Sequence, residues 1–119
     1  MAASDAFALS AVAFQFSAAL QGYEQDMDRL VRVGAQAELY HRISGRMDEM
    51  RLYAVSLPPL SAAWVEVLIR HFELTHTLLR AQQEQRSAAE LPELADLRGN
   101  WSDAVQRLSR KCLQMIPKA

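Results

Sequence analysis

Leu9, Ala13, Phe16, Leu20, Tyr23, Met27, Leu30 and Gly34 follow one another at alternating steps of four and three residues. That rhythm holds one face of a helix against a partner. Ser4 is a natural cap for its start, and Asp5 sits well near the positive end of the helix dipole. Beyond Gly34 the phase changes, and a second stripe runs Tyr40, Ile43, Met47, Met50, Ala54 and Leu57. In an unbroken helix it would lie roughly opposite the first, at 100° per residue. Either the chain breaks near Gly34 or Gly45, or one long helix presents two faces. Pro58-Pro59 ends helix in either case, because proline lacks the amide donor and clashes with the preceding turn.

Ser61 then offers a cap for a helix over 61–88. Trp64, Val65, Val67, Leu68, Ile69, Phe72, Leu74, Leu78 and Leu79 spread over an arc of roughly 220°, against about 100° for an ordinary surface helix. A helix this apolar is central, or it touches a second subunit as well as its own chain. After Pro92, Leu94, Leu97, Trp101, Val105, Leu108, Cys112 and Met115 form one narrow stripe. It keeps its phase through Gly99, which favours one kinked helix over 93–116; Asn100 with Asp103 is the alternative start.

These segments, 5–33, 36–57, 61–88 and 93–116, predict a single all-α domain over 1–119. The expected architecture is a small bundle of three to four helices with a long N-terminal helix or helical hairpin, completed by oligomerisation. Composition agrees with this reading: 19 Ala and 16 Leu stand against 12 Val, Ile and Thr together, the reverse of a strand-rich chain. A length of 119 residues suits one core. The most apolar run, Ala6–Leu20, is interrupted by Ser10, Gln15 and Ser17 and is shorter than a bilayer requires. The first basic residue is Arg29, so the run lacks the positive flank of a secretory signal. A cytoplasmic protein without a membrane span is expected.

Two Glu-x-x-His motifs are the sharpest chemical candidates: Glu38 with His41, and Glu73 with His76. In ferritin-like bundles such pairs point inward from facing helices and share metal ions with further carboxylates. Here Glu73 falls among Glu66, Arg70, Arg80 and Glu84 on the polar face, with His76 at its edge. The direction of Glu38 and His41 depends on the break near Gly34. His71 lies inside the apolar arc and reads as a neutral core or interface histidine, or as a pH-sensitive contact. Cys112 is central in the last stripe, where a small thiol is ordinarily inert, and a lone cysteine rules out an internal disulfide. The four glycines are isolated, so no phosphate-binding loop is present. No cofactor is indicated.

A net charge of −1 lacks the basic excess of a nucleic-acid binder. Arg42, Arg46 and Arg51 would have to carry such contacts, yet acids are interleaved with them. The chain therefore reads as a non-catalytic interaction module, an adaptor, small chaperone or assembly subunit working through apolar helix faces. In size and architecture alone it is similar to the small helical chaperones of bacterial secretion systems. The expected partner is a second copy or a heterologous protein, met by Trp64, Leu68, His71, Phe72, Leu78 and Leu79. The alternatives are a metal-binding ferritin-like protein using Glu38, His41, Glu73 and His76, and, more weakly, a helical nucleic-acid binder.

Overall fold

Gly34 takes φ +88°, a left-handed conformation that L side chains resist, and the first helix stops there. In the computed structural model of the chain, residues 2–34, 36–86 and 91–117 are described, with side chains from Phe7 onward, so the proposed Ser4 cap lies outside the described side chains. Helix α1 spans Ala2–Val33 and α2 spans Ala37–Val55. Gly45 lies inside α2, so the phase change between the two stripes marks the turn at Gly34. A 3-10 turn over Pro58–Leu60 leads directly into α3, Ser61–Gln83. Ser61 is consequently the first residue of α3 and does not cap it. Leu60 precedes it without a side-chain cap bond.

Helix α3 is shorter than its sequence pattern suggests. It ends at Gln83, and Gln85 takes φ +56° just beyond; residues 87–88 of the expected helix fall outside the described residues. Helix α4, Leu94–Gln114, runs through Gly99 without interruption, which excludes a new start at Asn100. Among the described residues there is no strand.

Side-chain pairs fix the helix directions. Phe16 meets Tyr53, and Asp26 meets Arg46 further along, so α1 and α2 form an antiparallel hairpin. Arg80 bonds Glu93 across the next turn, and α3 and α4 form a second hairpin. Phe16 packs on Trp64 and Tyr23 on His71, which sets α1 parallel to α3. Asp28–Arg98 and Glu24–Gln106 hold α4 antiparallel to α1. The result is an up-down-up-down four-helix bundle. Its closure is uneven: α1–α2, α3–α4 and α1–α4 are closely apposed, whereas α2 and α3 scarcely approach one another.

The core is built largely from the expected stripes, although Leu9, which opens the α1 stripe, is exposed. Ala13, Phe16, Leu20, Tyr23, Met27 and Leu30 of α1 are buried, as are Ile43, Met50 and Ala54 of α2 and Leu94, Trp101, Val105, Leu108 and Cys112 of α4. The bundle measures 57 × 26 × 22 Å, with a radius of gyration of 15.8 Å. A compact chain of this length would have about 13–14 Å. An elongated shape raises surface relative to volume, so more apolar side chains are left outside.

Candidate functional site

The wide apolar arc of α3 divides in two. Trp64, Val67, Leu74 and Leu78 enter the chain's own core, and Leu68 is half-buried. Val65, Ile69, Phe72 and Leu79 face solvent, with 49, 48, 64 and 42% of their surfaces exposed. Together with the exposed His76 they recur at steps of four and three along one side of the helix. Isolated exposed apolar residues are common on protein surfaces, but a contiguous row of large ones marks a contact surface. Of the six residues expected at an interface, Phe72 and Leu79 stand on this row and Leu68 borders it. Trp64, His71 and Leu78 are packed inside the bundle.

His71 anchors a buried polar chain. Trp101 Nε1 donates to Tyr23 Oη at 2.8 Å, and Tyr23 Oη lies 2.8 Å from His71 Nδ1. An indole N–H can only donate, so the phenol accepts from Trp101 and donates its own O–H to Nδ1. The imidazole proton then sits on Nε2, the one tautomer that leaves no proton of the chain between these rings without an acceptor. Burial holds the His71 pKa down at about 4 and pushes that of Tyr23 up. These three residues pin α1, α3 and α4 together. Tyr23 and Trp101 are almost wholly enclosed, and His71 keeps 7% of its surface exposed. Sequence spacing had placed His71 in the apolar arc; its partners come from helices 48 and 30 residues away in the chain, which no local pattern reveals.

The Glu-x-x-His residues are distributed over the surface. Glu38 and His41 are exposed on α2, and His76 is exposed on α3. Glu73 accepts from Arg70 at 3.0 Å, and Arg70 also bonds Glu66 at 2.9 Å, forming a ladder along the polar flank of α3. Among the described residues, no group of three or more His, Cys, Asp or Glu side chains comes together as a metal site.

The arginines of α2 face their own hairpin. Asp26, buried on α1, accepts from Arg46 at 2.9 Å and has Arg42 at 3.6 Å, while Arg51 is exposed. A Cβ on Gly22 would come within 2.5 Å of the Arg46 guanidinium, so glycine leaves the space in which that side chain crosses α1. Cys112 is enclosed, and burial raises its thiol pKa to about 11, which keeps it protonated and unreactive. No described helix is long and apolar enough to cross a membrane. Comparison with protein-family models, with curated proteins and with solved structures finds no match to this chain.

Proposed function

We propose that this protein is a helical interaction module whose working surface is the outer face of α3. The observation that carries this reading is the exposed row of Val65, Ile69, Phe72 and Leu79 on a helix whose opposite face already fills the core. Helix-in-groove and helix–helix recognition use anchors at this spacing. The buried Tyr23–His71–Trp101 chain supports it indirectly, by fixing α3 against two other helices so that the row is displayed on a rigid element.

Site-specific photo-crosslinking tests the reading in the cell that makes the protein. A photoreactive phenylalanine analogue at Phe72 is expected to give discrete adducts, and the same group at exposed Gln106 on α4 is expected to give none. Equal labelling at the two positions, or no adduct at Phe72, would count against α3 as a docking face.

A further inference from the structure

We infer that the partner on this face is a second copy of the same chain, docked α3 against α3 in antiparallel orientation; the inference rests on the reading of α3 as a docking face. The row Val65, Ile69, Phe72, His76, Leu79 has the alternating four–three spacing of a coiled-coil seam, the pattern by which two helices interlock. What selects the partner and its direction is the charge on the flanks. One flank carries Glu66, Glu73 and Arg80 at seven-residue intervals, and the other carries the uncharged Leu68 and Gln82, with Thr75 between them buried in the chain's own core.

A parallel pair would set the charged flank of each copy against the uncharged flank of the other, so Glu66, Glu73 and Arg80 would keep only their partners within the chain, Arg70 and Glu93, and gain none across the contact. An antiparallel pair sets like flanks together. With the two-fold axis near residue 74, Glu66 of each copy faces Arg80 of the other, and Leu68 faces Gln82. Within the seam, Ile69 then packs on Leu79 and Phe72 on His76 of the second copy. That pairing gives an imidazole in an otherwise apolar row an aromatic neighbour. The two Glu73 carboxylates approach near the axis, and each already accepts from its own Arg70, which offsets their repulsion. The contact is isologous, so it closes as a dimer and does not propagate.

Light scattering after size exclusion is expected to give twice the 13.4 kDa chain mass at high micromolar concentration. Phe72→Asp is expected to return the mass to that of one chain with the helical circular dichroism unchanged. Cysteine pairing then reads the direction. Ile69→Cys mixed with Leu79→Cys should form a mixed disulfide, while neither variant alone should link. Like residues would sit roughly 15 Å apart along the axis at 1.5 Å per residue, beyond disulfide reach. The native Cys112 is buried and does not compete. Self-linking of Ile69→Cys would show a parallel pair and overturn the inference. So would a wild-type chain of single mass at every concentration. If that single-mass chain still gave a discrete heavier adduct at Phe72 in cells, the second copy would be excluded and the docking face retained.

Discussion

Tyr23 and Tyr40 bring the same hydroxyl into opposite circumstances. Tyr23 Oη accepts from Trp101 and donates to His71, so Tyr23→Phe leaves a buried indole N–H and a buried imidazole nitrogen unpaired. At about 1–3 kcal/mol for a stranded group, a loss of about 2–4 kcal/mol is expected in urea unfolding. Tyr40 Oη is buried with no hydrogen-bond partner, and desolvation raises its pKa. Tyr40→Phe is therefore expected to be neutral or stabilising in the same assay. The protonation of His71 gives a further prediction at this scale. Its pKa is about 4 when folded against 6.5 as the ordinary value, because burial disfavours the cation. The unfolded chain binds the proton more readily between those values, so the His71 contribution is full above about pH 6.5 and falls away towards pH 4. The difference amounts to about 3 kcal/mol, with 1.36 kcal/mol per pKa unit. His71→Gln should flatten that part of the stability profile. An unchanged slope would show that other groups carry the acid sensitivity.

Between elements, the α1–α2 hairpin depends on a glycine that gives room to an arginine. Gly22→Ala forces the Arg46 guanidinium away from Asp26 and is expected to destabilise the bundle. In an Arg46→Ala background the same change should stabilise by about 0.5–1 kcal/mol, because alanine is the better helix former. This reversal of sign in a double-mutant cycle would establish the crossing. Gly34 and Gly45 give a parallel contrast. Gly34 needs its positive φ, so Gly34→Ala should cost about 1–2 kcal/mol. Gly45 lies in the helix interior with nothing near an added Cβ, and Gly45→Ala should gain about 0.5–1 kcal/mol. Thermal melts of the two variants in opposite directions would confirm the turn. Either glycine could have marked the break between the two stripes, and their backbone angles assign it to Gly34.

Across the whole molecule, the two halves of the α3 arc differ in what they stabilise. Leu108→Ala, made in the closed core opposite this arc, is expected to cost about 2–5 kcal/mol. Ile69→Ser and Phe72→Ser should stay within about 0.5 kcal/mol of the parent at dilutions where the chain stands alone. A large loss from the exposed pair under those conditions would mean that the row belongs to the fold of the single chain. The rod-like shape explains why such a surplus arises. Three helix pairs are tightly apposed and α2 and α3 approach less closely, and the apolar arc of α3 is covered by its own chain on one side only.

The periodicity of apolar residues determined that the described residues form an all-α bundle of about four helices, and most of the residues of α1, α2 and α4 that line the core; Leu9, in the α1 stripe, is exposed, and Leu39, outside the α2 stripe, is buried. Those properties follow from the 3.6-residue repeat, which acts within a segment and is legible there. The expected cap at Ser61 misled because serine favours a helix start only where neighbouring structure does not already supply the turn, as Pro58–Leu60 does for α3. Tertiary structure alone decided the rest. It placed Trp64, His71 and Leu78 inside and left Val65, Ile69 and Phe72 outside, although all belong to one apolar arc. It also joined Tyr23, His71 and Trp101 across three helices. Which part of an apolar face is buried depends on how many neighbours arrive and from which side, and that is a property of the assembled bundle.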